Sequence, residues 1–221
     1  MAIWERDSDL SQALDYRLVR DTFVTMFWKR SILDDTVRWL VERDYDVVTL
    51  DAGSWNSARD MFRDVAEALD FPDYFGQNLD ALNDCLRDVA TGDYGWRKDA
   101  AGLVLVLTGF ETFAALDRRT AQVMLDIFAD RARGASLVGT RLICLIQSND
   151  PRLSFEPVGA MPVMWNDAEW LDRKSRPLTT ARETSAAPET IFRLRHRKAH
   201  QKPRSPVPRS NQARPGQTAS R

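Results

Sequence analysis

The sequence predicts an α/β protein with a small, mostly parallel sheet of three to four strands packed with helices, followed by a disordered basic C-terminal tail. Stretches of strand character alternate with stretches of helical periodicity, which favours parallel strands joined by right-handed crossovers. Residues 102–107 are apolar throughout, as in a strand covered on both faces. Beyond Asp172 lie six of the ten prolines and both histidines. Such a composition cannot build a core, which predicts disorder there.

The individual elements follow from composition and spacing. Four stretches have the β-branched, aromatic or apolar residues of strands, namely 23–28, 46–50, 102–107 and 141–146. Four others repeat apolar residues every three or four positions, as helices do, namely 31–43, 57–69, 78–89 and 120–133, with Gly134 placed to end the last one. We therefore divide the chain into an N-terminal β-α extension, a central domain, a strap packed on the body and the tail, at residues 1–45, 46–150, 151–172 and 173–221.

Charge is distributed very unevenly along the chain. Residues 1–172 contain 18 Lys and Arg against 30 Asp and Glu, a net charge of −12. Residues 173–221 contain 13 Lys and Arg against 2 Glu, a net charge of +11. The acidic body argues against nucleic acid as its ligand and for a basic partner, so nucleic acid is expected only through the tail.

One stretch, residues 71–89, dominates the sequence. Pro72 and Gly76 bracket an aromatic turn, and Gly76 permits backbone angles closed to other residues. Asn78 is a good N-cap for the helix that follows. That helix has a buried stripe of Leu79, Leu82, Leu86 and Val89, and an outer face with Asp80, Asp84 and Asp88 four residues apart.

The three stacked aspartates allow two interpretations. Like charges four residues apart destabilise a helix by roughly 0.2–0.5 kcal/mol per pair, so the fold gains little from them. A cationic partner would gain much more from such a row of carboxylates. The simpler interpretation is a helix face exposed to solvent.

The stretch from Tyr74 to Leu86, YFGQNLDALNDCL, resembles the barstar family of intracellular ribonuclease inhibitors. A weaker resemblance extends over residues 46–148. It implies a three-stranded fold, to which the β-α unit at residues 22–43 would add a fourth strand. In the family this loop and helix block the active site of a basic, extracellular-type ribonuclease or toxin.

The resemblance also implies roles for individual residues. Asp84 would occupy the phosphate-binding centre of the ribonuclease, with Tyr74, Asn78 and Asp80 beside it, and Gly76 and Asn83 belong to the same partner-binding stretch. Asp130 would supply an outlying contact, unless it is an ordinary surface aspartate near Arg131 and Arg133. The sequence departs from the family prototype at three positions, with Phe75 for a tyrosine, Gln77 for a glutamate and Asn83 for a tryptophan.

Catalytic functions find little support in the sequence. Cys85 and Cys144 lie in apolar stretches and are expected to be buried thiols in a reducing compartment, without a histidine in the body to activate them. His196 and His200 have no further ligand nearby, so no metal or other cofactor is expected. The start of the chain lacks signal-peptide character and no apolar run could span a bilayer. We therefore expect a cytoplasmic, non-enzymatic protein without a membrane partner.

Two functions remain. The first is an inhibitor or immunity protein that blocks a ribonuclease active site. The second is a regulatory or interaction module that keeps this fold but binds another basic protein, or nucleic acid through its tail.

Overall fold

The computed structural model describes residues 12–171, so the predicted tail, residues 173–221, lies outside the described residues. The helices are α1 Leu14–Arg20, α2 Arg30–Val41, α3 Ala58–Ala68, α4 Leu79–Thr91, α5 Phe110–Leu116, α6 Arg118–Leu137 and α7 Ala168–Leu171, with a 3-10 turn at Ala52–Ser54. The strands are β1 Val24–Phe27, β2 Asp46–Asp51, β3 Leu103–Thr108, β4 Leu142–Gln147 and β5 Met164–Trp165. Within the described part, no helix is both long and apolar enough to cross a membrane.

The strands form one parallel sheet in the order β2-β3-β4-β1-β5. This confirms the predicted α/β class. The N-terminal β-α unit supplies β1, whose Val24 is in register with Cys144 of β4. A fifth strand of two residues comes from the segment predicted as a strap, where Met164 pairs with Thr25. The extension and the strap therefore share the sheet of the central domain.

Side chains from alternate residues of each strand point to opposite faces of the sheet, and both faces are covered. On one face Leu103, Leu105 and Leu107 pack with α3, α4, α5 and α6. On the other face Val104 and Val106 pack with α1 and α2. Coverage on both sides explains why β3 and β4 are buried throughout and apolar except at their last residues, Thr108 and Gln147.

The end of α6 differs from the sequence prediction. The helix continues through Gly134 to Leu137, and Gly139, at a φ of 84°, is the left-handed residue after its end. A side chain added at Gly134 would have no neighbour within 4 Å. A glycine can end a helix by its left-handed conformation, but it does not do so wherever it occurs.

Candidate protein-binding site on the aromatic turn and helix α4

The turn before α4 is held by aromatic contacts. The ring of Phe75 packs edge-on against Phe71, with 5.1 Å between ring centroids, and against Phe62 at 6.1 Å. Its neighbour Tyr74 is 80% exposed. One residue of the pair is therefore anchored to the core while the other extends into solvent.

The positive φ in this turn belongs to Gln77, at 48°, and not to Gly76, so the turn does not use the left-handed conformation that Gly76 permits. A Cβ added at Gly76 would lie 3.0 Å from Asn78 Nδ2. That amide donates a hydrogen bond to the Gly76 carbonyl oxygen, 3.3 Å away. Glycine is thus favoured at position 76 because the Asn78 side chain folds closely over it.

Helix α4 begins as the sequence predicts. Asn78 Oδ1 accepts a hydrogen bond from the Ala81 backbone N–H at 2.8 Å. Leu82, Leu86 and Val89 are fully buried, whereas Leu79 is only partly so. The helix ends at Gly92, whose φ is 80°. The buried stripe fixes the rotation of the helix and so decides which aspartates face solvent.

The three aspartates of α4 have different surroundings. Asp80 and Asp84 are exposed. Asp84 forms an ion pair with Arg87, which lies one helical turn later and has its Nη2 3.1 Å from Asp84 Oδ1. Asp88 is half-buried, and the Tyr94 hydroxyl, which donates to the Cys85 carbonyl oxygen at 3.1 Å, lies within hydrogen-bond distance of Asp88 Oδ2 at 3.4 Å. Burial is the main cause that raises the pKa of Tyr94, followed by its hydrogen bond to Cys85. Only the first two carboxylates therefore remain available on the outer face.

Asp130, on the neighbouring helix α6, is engaged by two arginines. Its Oδ2 lies 2.5 Å from Arg131 Nη2, and its Oδ1 lies 2.6 Å from Arg133 Nη2. Arg133 also donates to the carbonyl oxygen of Gly159 at 2.7 Å. The side chain of Asp130 is 41% exposed. Both carboxylate oxygens are thus occupied by the protein's own cations.

The part of the chain that holds this turn and helix is similar to known proteins. Residues 45–147 match the family described as Barstar (barnase inhibitor). We name residues 45–147 the barstar domain, after the family that they match. Over 64 residues the chain is 39% identical to a protein of Bacillus subtilis (strain 168) named "Putative ribonuclease inhibitor YrdF". That alignment covers 29% of this chain and 60% of the relative, so the chain spans less than two thirds of the relative's length.

All the predicted site residues lie within the barstar domain. Most of them lie together on the turn and the first half of α4, namely Tyr74, Gly76, Asn78, Asp80, Asn83 and Asp84. Asn83 is half-buried, and Asp130 lies on α6, which packs against α4. Both cysteines are unpaired and buried, and burial raises the pKa of each thiol. No three or more His, Cys, Asp or Glu side chains are grouped to hold a metal within residues 12–171.

The roles of two residues at this site were not predicted from the sequence. Phe75 was noted only as a departure from the family prototype, but it anchors the turn, and the nearby Phe71 could have suggested an aromatic cluster. Arg87 pairs with Asp84, and their spacing of three residues is a recognised helical pairing distance. The sequence shows that these residues are an aromatic and a cation, but only the fold shows which residues they contact.

Proposed function

We propose that this chain inhibits a basic ribonuclease by placing the turn at residues 72–78 and the first half of α4 in the enzyme's active site. The proposal is supported by the barstar domain at residues 45–147 and by one geometric observation. Tyr74 is 80% exposed on a turn whose next residue is anchored, and the exposed carboxylates of Asp80 and Asp84 follow within two turns.

The chemistry of the two surfaces is complementary. A ribonuclease binds the phosphates of RNA, so its active site carries cationic groups. An inhibitor that offers carboxylates at fixed positions can take the place of those phosphates. Because Phe75 and the Asn78 cap hold the turn, little conformational entropy is lost on binding.

Blocking an active site requires no chemistry from the inhibitor. Asp80 and Asp84 lie on the exterior of one helix, so they do not face each other across a cleft as paired catalytic carboxylates do. We therefore propose a binding role, with a basic ribonuclease or toxin as the partner.

The test is an inhibition titration against a panel of secreted basic ribonucleases that includes barnase. We expect competitive inhibition at a stoichiometry of one to one with at least one enzyme. Tyr74→Ala should weaken that inhibition, whereas Tyr16→Ala, which removes an exposed tyrosine from α1 outside the barstar domain, should not. Absence of inhibition across the panel would contradict the proposal.

A second candidate, a module that binds a different basic protein, is favoured by the three departures from the family prototype at Phe75, Gln77 and Asn83. The same panel separates the two candidates. If a non-enzymatic basic protein bound through Asp84 and no ribonuclease did, the second function would replace the first.

A further inference from the structure

Arg87 is a cation on α4 beside a surface that otherwise suits a cationic partner. It lies one helical turn after Asp84 and is 55% exposed, while Asp84 is 67% exposed. Their ion pair is open to water, and such pairs contribute only about 0–1 kcal/mol. A well-placed cation from a partner can therefore take over Asp84 at little cost.

Arg87 is paired with Asp84 through Oδ1, so it loses its carboxylate when the partner's cations take both oxygens of Asp84. The adjacent aspartate, Asp88, does not provide an equivalent replacement, because it is half-buried and lies within hydrogen-bond distance of the Tyr94 hydroxyl. A guanidinium enclosed in an interface without an acceptor is strongly unfavourable. It also repels the cationic groups that Asp84 attracts.

We infer that Arg87 is a specificity-determining residue, which selects a basic partner that carries a carboxylate beside its cationic cluster. The inference rests on the proposed function and deepens it. Discrimination between partners depends on what disfavours the wrong one as well as on what favours the right one. Arg87 disfavours a uniformly cationic surface and favours one in which an acid accompanies the cations, as it does where a general base serves acid–base catalysis.

The chain contains a matched control for this residue. Arg38 on α2 pairs with Asp35 at the same spacing of three residues, with an Nη1–Oδ1 distance of 2.7 Å and side-chain exposures of 50% and 70%. Helix α2 lies outside the barstar domain and covers the other face of the sheet from α4. Arg38→Ala therefore makes the same change in net charge away from the proposed interface.

The experiment compares two probes across Arg87→Ala, Arg87→Gln and Arg38→Ala, using the full chain. One probe is poly-L-lysine, which is cationic and has no side-chain carboxylates. The other is barnase, or the ribonuclease that the inhibition panel identifies. Circular dichroism and thermal unfolding establish that each variant is folded, and Arg87→Gln keeps most of the length of the side chain.

The two probes should respond with opposite signs. Poly-L-lysine should bind somewhat more tightly to all three variants, since each loses one positive charge. Ribonuclease binding should weaken at least about tenfold in both Arg87 variants, because truncating one member of an enclosed charge pair is costly, and should be unchanged in Arg38→Ala. Neutralising one carboxylate of the ribonuclease should produce a similar loss that is not additive with Arg87→Ala.

A failure of the Arg87 inference can be distinguished from a failure of the proposed function. If the unaltered chain inhibits a ribonuclease and Arg87→Ala binds it equally well or more tightly, the inference is wrong and the proposed function stands. If the unaltered chain inhibits no ribonuclease, the proposed function fails, and the inference that rests on it falls as well.

Discussion

Asp84 and Asp130 are two acidic positions suggested by the same family resemblance, but the fold surrounds them differently. Asp84 is two-thirds exposed and has one exposed arginine beside it. Asp130 has an arginine on each carboxylate oxygen, and one of these arginines also binds the loop at Gly159. The presence of an aspartate in a motif therefore does not make its charge available to a partner. Availability depends on the cations that the protein itself places nearby.

The largest expected effect comes from disturbing the Asp130 region through Gly159. Its φ is 55°, and an added Cβ would lie 3.0 Å from Ala129 Cβ. We expect Gly159→Ala to lower the free energy of unfolding by about 2 kcal/mol or more, measured by urea denaturation.

Gly134→Ala on the same helix is the control for that variant. Its added methyl group meets nothing within 4 Å, so it should stabilise the protein by roughly 0.5–1 kcal/mol. Ribonuclease inhibition should be unchanged in both variants. A loss of inhibition in Gly159→Ala at a temperature where the protein remains folded would show that the two regions are coupled.

Asp130→Asn should affect stability more than binding. Arg131, whose Nε is buried without an acceptor among the described residues, would lose its carboxylate partner. We expect a loss of about 1–2 kcal/mol in the free energy of unfolding. A double-mutant cycle with basic residues of the partner should give coupling below about 0.5 kcal/mol. A larger coupling energy for any pair would establish Asp130 as the outlying contact that the resemblance implies.

Much of the fold could be predicted from the sequence, because local residue patterns determine where most of the helices and strands lie. The Asn78 cap and the buried stripe of α4 were predicted, as were strands β1 to β4 to within one or two residues. The strand order could not be predicted, because it depends on long crossovers between elements distant in the chain. Helix α5, seven residues long, was missed because it is too short for a periodic signal.

The site was predicted less completely than the fold. The residues of the motif were identified, but their pairings were not, because an arginine one turn away is one of several possible partners until the rotation of the helix is known. Asp88 shows the same limit. From its spacing Asp88 was expected to share the outer face of α4 with Asp80 and Asp84. Its contact with Tyr94, which makes it differ from them, could not be predicted because Tyr94 lies in the turn after the helix.

Removing the N-cap of α4 tests whether binding through Asp84 depends on the hydrogen bonds that fix the start of the helix. Asn78→Ala removes the hydrogen bond from the Ala81 N–H and the one to the Gly76 carbonyl oxygen. We expect a loss of about 1 kcal/mol in the free energy of unfolding and a faster dissociation of the ribonuclease. Ser57→Ala, which removes the cap of α3, should cost similar stability and leave dissociation unchanged. Equal dissociation rates in the two variants would indicate that the cap serves folding alone.

The smallest effect concerns the tail, whose net charge of +11 is opposite to that of the body. A tethered cationic segment has a high effective concentration near an acidic surface and would compete with the partner for it. We expect deletion of residues 173–221 to speed association at low salt, with the difference closing as the Debye length falls to about 8 Å at physiological ionic strength. Identical association rates at every salt concentration would mean that the tail does not screen the site.

A ribonuclease inhibition titration that compares Asp84→Asn with Asp35→Asn tests most directly whether Asp84 lies at the centre of the interface. The two aspartates each pair with an arginine three residues on, and both are at least two-thirds exposed, so the substitutions are alike except in location. We predict that Asp84→Asn raises the inhibition constant about thirtyfold or more, and that Asp35→Asn leaves it within about twofold of the unaltered chain. Equal inhibition by the two variants would contradict the assignment of Asp84 to the centre of the interface.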